Sequence, residues 1–121
     1  MSALAEETKP ALEPVNEVRL VGRLSGDPTR VELPSGDELW TFRVVVSRPP
    51  GQARSRQAAD TLDCAVWGGR VRRSVSSWAA GDLVEVAGAL RKRFFRAGGA
   101  TASRTEVHVA RGRVIRRAAS G

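Results

Sequence analysis

Residues 61–95 read TLDCAVWGGRVRRSVSSWAAGDLVEVAGALRKRFF, and the hydrophobic period changes twice within them. Thr61–Trp67 alternates, with Leu62, Cys64 and Val66 on one side and Asp63, Ala65 and Trp67 on the other. Period-two alternation of this kind marks a half-buried strand. Gly68-Gly69 ends it. Val71, Val75 and Trp78 then fall at i, i+4 and i+7, one stripe of a helix, while Arg70, Arg72, Arg73 and Ser76 lie off that stripe. Gly81 suits the helix C-terminal cap. From Leu83 to about Phe95 alternation returns: Val84, Val86, Gly88 and Leu90 share one parity, and Glu85, Arg91, Arg93 and Phe95 the other. A lone helix between two strands is the feature to be placed in a larger architecture.

Upstream, Val18, Leu20, Gly22 and Leu24 alternate with Arg19, Val21 and Arg23, until Ser25-Gly26-Asp27-Pro28 breaks the strand. A short strand at Arg30–Leu33 meets a turn at Pro34-Ser35-Gly36-Asp37. Leu39–Ser47 is the next long strand, with Trp40, Phe42, Val44 and Val46 inward and Thr41, Arg43 and Val45 outward. Residues 48–59, with two prolines, a glycine and three arginines, read as a solvated, basic, mobile loop. Downstream, Ala97-Gly98-Gly99 is a hairpin turn, and Thr101–Ile115 pairs back as the last strand. The chain is therefore expected to be all-β: a five-stranded oligonucleotide/oligosaccharide-binding barrel (OB-fold) with one helix between the third and fourth long strands. Residues 1–15, rich in Ala, Glu and Pro, are expected to be a flexible lead, 16–116 the barrel domain, and 117–121 a short basic tail.

At 121 residues the chain supports one domain, and 41% hydrophobic with 27% charged residues is a globular composition. Cys64 is the sole cysteine and His108 the sole histidine, which excludes an internal disulfide framework and a zinc ribbon and suits a reducing cytosol. No run approaches the ~18 apolar residues of a membrane span. The N-terminus lacks the basic start and apolar run of a signal peptide. A cytoplasmic, nucleoid-associated location is expected. No phosphate loop, HExxH pair or CxxC pair occurs, and an inward Cys64 and an outward His108 each read as structural. Neither an enzyme, a cofactor nor a metal site is expected.

The formal charge is +7, from 20 basic residues, 18 of them arginine, and 13 acidic ones. It is polarised: Val86–Gly121 carries +8 and Met1–Asn16 carries −2. Such a gradient attracts polyanions. Nucleic acid is the first candidate, because a membrane surface needs a basic amphipathic helix or a lipidation signal and neither is present. A single strand exposes its bases, each with a π-face, so a few exposed aromatics flanked by positive charge hold it without reading sequence. Phe95, in parity with Arg91 and Arg93, is the best stacking candidate, and Trp67 beside two glycines is the second. Arg43, Arg48, Arg70 and Arg73 complete the expected DNA-binding set, although the helix arginines read equally well as a solvated face. Phe94, with the parity of Leu90, reads as core, as do Trp78 and Trp40.

Four segments in order carry a family resemblance. Asn16–Leu24 followed by Asp27-Pro28 resembles the opening strand and turn of the bacterial single-stranded DNA-binding (SSB) proteins. Cys64-Ala65-Val66-Trp67-Gly68 is similar to the end of that family's third strand, Gly81–Arg93 to its fourth, and Thr105-Glu106-Val107 to its last. Together these span about residues 16–116. The resemblance implies an OB-fold, assembled as a homotetramer, that holds single-stranded DNA in replication, repair and recombination. By position it implies stacking by Trp67 and Phe95 and a basic DNA path at Arg91 and Arg93. Outward Val21 and Val45 suit subunit contacts. Departures are as specific. Thr61 stands where the family has an aromatic, residues 48–60 contain none, Asp63 sets a negative charge on the outward face, and Gly121 follows a basic stub rather than a long acidic tail. A reduced paralogue with weaker stacking is expected. The alternative is a tail-less accessory barrel acting mainly through protein contacts in primosome or repair assemblies, and RNA as ligand stays open.

Overall fold

In a computed structural model, which describes residues 12–51 and 57–119, the alternating segments form six strands and one helix. They are β1 (Val18–Leu24), β2 (Thr29–Glu32), β3 (Glu38–Ser47), β4 (Ala59–Val66), α1 (Gly69–Val75), β5 (Leu83–Ala97) and β6 (Ala100–Arg116). The strand order is β1-β5-β6-β4-β3-β2, and β1 pairs back onto β3 where Arg23 lies opposite Val45 and Leu24 opposite Val44. Five strands thus close a ring, and the four-residue β2 pairs with β3 alone. The pairings are antiparallel except β4 with β6, which run parallel at Cys64–Val107 and Ala65–His108. This is the expected OB barrel, with α1 between the third and fourth long strands. The expected lead at 1–15, loop at 48–59 and tail at 117–121 lie outside the described residues at 1–11, 52–56 and 120–121.

Inward parity fills the barrel as the alternation predicts. Phe42, Val44, Cys64, Val66, Val84, Val86, Val107 and Val109 are buried, and Val75 and Trp78 cap one end. Trp78 meets Phe42 edge-on, with centroids 5.4 Å apart and planes at 70°, the geometry the two ring quadrupoles favour. Trp40 is half-buried against this core.

The helix is shorter than its apolar stripe. α1 stops at Val75 with Ser76 as its C-cap, and Trp78 lies in a following turn whose N–H donates to the Val75 carbonyl at 3.0 Å. Serine hydroxyls account for this. Ser76 Oγ donates to the Arg73 carbonyl at 2.7 Å and Ser77 Oγ to the Ser74 carbonyl at 2.8 Å, taking acceptors that a longer helix needs. Gly81 accordingly falls in the turn into β5, not at the helix end.

β5 and β6 outrun the barrel. β1 pairs with β5 only as far as Gly88, and β4 meets β6 only at Val107 and His108. Beyond those points the two strands pair with each other alone, forming a two-stranded ribbon closed by Gly98 and Gly99 (φ 60° and 83°). Positive φ at both central residues gives a primed turn, whose twist matches the flanking strands. At the root of the ribbon, Asn16 continues the ladder where β1 stops: its side-chain amide donates to the Leu90 carbonyl at 2.8 Å and accepts from the Leu90 N–H at 2.9 Å. After β6 the chain is tied back by buried Asp82, which accepts from the Ala118 N–H (2.8 Å), the Ala79 N–H and Arg117 Nη1 (3.0 Å each). Burial pushes the Asp82 carboxyl up, but these hydrogen bonds and the Arg117 charge outweigh it and hold the carboxyl below its ordinary value.

Candidate nucleic-acid interface

The hairpin register decides which side chains meet. Two-residue closure sets Ala97 opposite Ala100, so Phe95 lies opposite Ala102, Arg93 opposite Arg104, Arg91 opposite Glu106 and Ala89 opposite His108. These residues share one face of the ribbon, because side chains in a strand repeat every second residue. Half-buried Phe95 has two guanidinium groups near its ring, that of Arg93 at 5.7 Å from the ring centroid and that of Arg104 at 5.8 Å. Both lie within cation–π range.

Arg93 is held from behind. Its Nε donates to Glu106 Oε1 at 2.9 Å, and the same oxygen lies 3.1 Å from His108 Nε2. Glu106 is only 3% exposed. Burial pushes its carboxyl up, and the hydrogen bonds from Arg93 and His108 more than reverse this, so it stays ionised below the ordinary carboxylate value. His108 carries the band onto the barrel, because its ring stands 5.9 Å from that of Trp67, tilted by 49°. Trp67 follows the end of β4 and is 38% exposed. The continuous wall is therefore Trp67, His108, Arg93, Phe95 and Arg104, with buried Glu106 behind it.

Two grooves flank it. One, of about 530 Å³, has Ala87, Gly88, Ala89 and Ala110 among its lining, with Arg91, Arg111 and His108 beside them. The other, of about 250 Å³, includes Arg43, Asp63, Arg104 and Glu106. Exposed Arg91 has no carboxylate partner among the described residues.

The remaining expected residues are placed differently. Arg43 lies opposite Asp63 in the β3–β4 register and is ion-paired to it, Nε to Oδ1 at 3.0 Å. Arg48 grips Asp60 with two hydrogen bonds, of 3.0 and 2.7 Å. Arg70 and Arg73 are exposed on α1, and no hydrogen bond, ion pair or ring contact among the described residues joins them to the wall. Alternation alone does not single out Arg104, and it marks His108 only as outward; the hairpin register puts both on the wall. Phe94 is not core. It is 65% exposed, on the ribbon face opposite Phe95, because the barrel that would cover that parity ends at Leu90, itself 46% exposed.

Cys64 is buried, and burial first, then the negative charges of Asp63 and Glu106, pushes its thiol up to about 12. Among the described residues no three His, Cys, Asp or Glu side chains gather in a metal-binding cluster, and no helix is long and apolar enough to cross a membrane.

Comparison with known proteins gives the same direction. The model of the single-strand binding protein family matches residues 15–115. A single-stranded DNA-binding protein of Oceanobacillus iheyensis is 32% identical over 81 residues, which is 67% of this chain and 50% of that protein. Single-stranded DNA-binding protein 3 of Listeria innocua is 34% identical over 79 residues, 65% of this chain and 49% of its own length. Single-stranded DNA-binding protein 2 of Streptococcus agalactiae is 30% identical over 92 residues, 76% and 70% of the two chains. The chain thus spans about half the length of the first two relatives. Among solved structures, a Plasmodium falciparum SSB in complex with ssDNA superposes with a TM-score of 0.68 at 20% identity, covering 88% of this chain and 98% of that one.

Proposed function

The chain belongs to the single-strand binding protein family, and on that premise we propose that it binds single-stranded DNA without reading its sequence, by base stacking and phosphate contact. The observation that carries this reading is Phe95, a half-buried ring within cation–π distance of the guanidinium groups of Arg93 and Arg104, on one wall with exposed Trp67. Unpaired bases stack on Phe95 and Trp67, and Arg91, Arg93 and Arg104 take the phosphates. Stacking is worth about 1–3 kcal/mol per base and tolerates any base, because every base has a π-face.

Arg43 and Arg48 contribute less, each being engaged by a carboxylate across the β3–β4 ladder. Exposed ion pairs are worth little, so a phosphate can exchange for Asp63 at modest cost. Arg70 and Arg73 add charge at longer range. Glu106 contacts no nucleic acid; it holds Arg93 and His108 in place.

A homo-oligomer, tetrameric by resemblance to the family, fits the same reading. β1 pairs with β5 along Val18–Arg23 but with β3 only at Arg23 and Leu24. Its other edge therefore offers backbone groups to a second copy, beside Val21, which is 37% exposed. The barrel of residues 16–116 is the binding unit, serving replication, repair or recombination at the nucleoid.

Titration of labelled oligo-dT at two salt concentrations tests the reading. Binding at low salt that weakens as salt rises is expected, because phosphate contacts release counterions. No binding at low salt, or binding indifferent to salt, rejects it. Strong capture of a replication protein together with poor oligonucleotide affinity assigns the accessory role instead.

A further inference from the structure

β5 carries two adjacent rings, and alternation sends them to opposite faces of the ribbon. Phe95 faces the wall described above. Phe94 faces the other way and is 65% exposed. Like Phe95, it has cationic neighbours. Lys92 and Arg96 stand two residues to either side on β5, and Thr105, Ser103 and Thr101 lie opposite Lys92, Phe94 and Arg96 in register. All five neighbours are exposed. None is a carboxylate, Lys92 has no ion pair among the described residues, and Arg96 Nη2 makes only a 3.4 Å hydrogen bond to the Gly99 carbonyl. A ring plugging the barrel end would be covered, and this one is not. A second copy docking here would bring Lys92 and Arg96 against their own counterparts, and like charges in register disfavour that contact. A flat, uncharged group on a polyanionic chain suits an exposed ring between two cations and a row of hydroxyls.

We infer that Phe94 is a second stacking site for a base of the same single strand, with Lys92 and Arg96 on the flanking phosphates and the Ser103 hydroxyl bonding to base or sugar. The inference rests on the front-face reading and extends it. The ribbon is gripped on both faces by a strand that passes over its free edge, where β5 has lost β1 as a neighbour.

The test is anisotropy titration of the full chain with a long labelled oligo-dT at low salt, comparing the unaltered protein with Phe94→Ala, Phe94→Leu and Phe95→Ala. Light scattering of each protein without DNA accompanies it. Phe94 is exposed, so its variants keep the fold, which circular dichroism checks. Phe94→Ala is expected to weaken binding by about five- to a hundred-fold. Phe94→Leu, which keeps the apolar bulk and loses the π-face, should weaken it nearly as much, with the native mass unchanged. If Phe94→Ala binds as the unaltered protein does while Phe95→Ala is weakened, the second site is overturned and the front face stands. If Phe94→Ala lowers the native mass and leaves affinity intact, the ring serves self-association and the inference also falls. If the unaltered protein binds no oligomer at low salt, the front-face reading fails first.

Discussion

Glu106 shows how a buried acid can position a guanidinium at the surface. Its carboxylate lies beneath the wall, 2.9 Å from Arg93 and 3.1 Å from His108, so it orients a guanidinium without facing solvent. Because its folded value lies below the ordinary one, near 4, its ionisation stabilises the fold above that range, and this stability is lost as pH falls through the folded value. Glu106→Gln should cost about 1–3 kcal/mol at pH 7. In thermal melts, the gap to the unaltered protein should close as pH is lowered past about 4; a gap constant from pH 7 to 3 contradicts this. Cys64 makes a second test at this scale. The thiolate is the reactive form, and burial, reinforced by Asp63 and Glu106, pushes this thiol up to about 12. A disulfide-exchange reagent should label it only at the rate of unfolding, and fast labelling of the native protein would count against the packing. Phe94 marks the limit of residue-scale reading. Parity gives the face a side chain takes, but not whether anything covers that face.

At the scale of elements, the β5–β6 ribbon is the part most legible in the sequence. Ala97-Gly98-Gly99 announces a hairpin turn between two alternating segments, and the structure closes it at Gly98 and Gly99, which sets Phe95 opposite Ala102 and Arg93 opposite Arg104. The extent of α1 was less legible, because the i, i+4, i+7 stripe continues to Trp78 while Ser76 and Ser77 hydroxyls take the carbonyls a longer helix needs. Two elements also meet closely at Gly88, where any Cβ would press on the His108 carbonyl. Gly88→Ala should therefore destabilise by about 1–3 kcal/mol in denaturant unfolding, the usual cost of overpacking. Stability equal to the unaltered protein would mean that β5 and β6 are further apart than described. The Asp82 clip predicts the same order of loss for Asp82→Ala, since three donors lose their acceptor.

Across the whole molecule, the charge gradient read from composition becomes a distribution of paired and unpaired cations. Arg19 and Arg113 share Glu85, Arg30 and Arg72 share Glu38, and Arg43, Arg48 and Arg117 each have a carboxylate. Arg91, Lys92, Arg96 and Arg104 on the ribbon have none among the described residues, nor do Arg23, Arg70, Arg73, Arg111 and Arg116 elsewhere. The sequence showed where positive charge accumulates; which charges are free depends on cross-strand register, and so needed the fold. Five phosphate contacts, from Arg91, Arg93 and Arg104 on the front face and Lys92 and Arg96 on the back, predict a slope of about −3.5 in log affinity against log salt for a single strand, of which the front three supply about −2. Arg104→Ala should flatten it by about 0.7; an unchanged slope would remove Arg104 from the path. The proposed function requires bases to lie against exposed Trp67 and half-buried Phe95, and tryptophan emission reads the first of these contacts directly. Trp78 is 5% exposed and Trp67 is 38% exposed, so oligo-dT added at low salt should quench the unaltered protein strongly and Trp67→Phe only weakly, with binding of the variant still seen by anisotropy. Equal quenching in both proteins, or binding with no quenching in either, would contradict it.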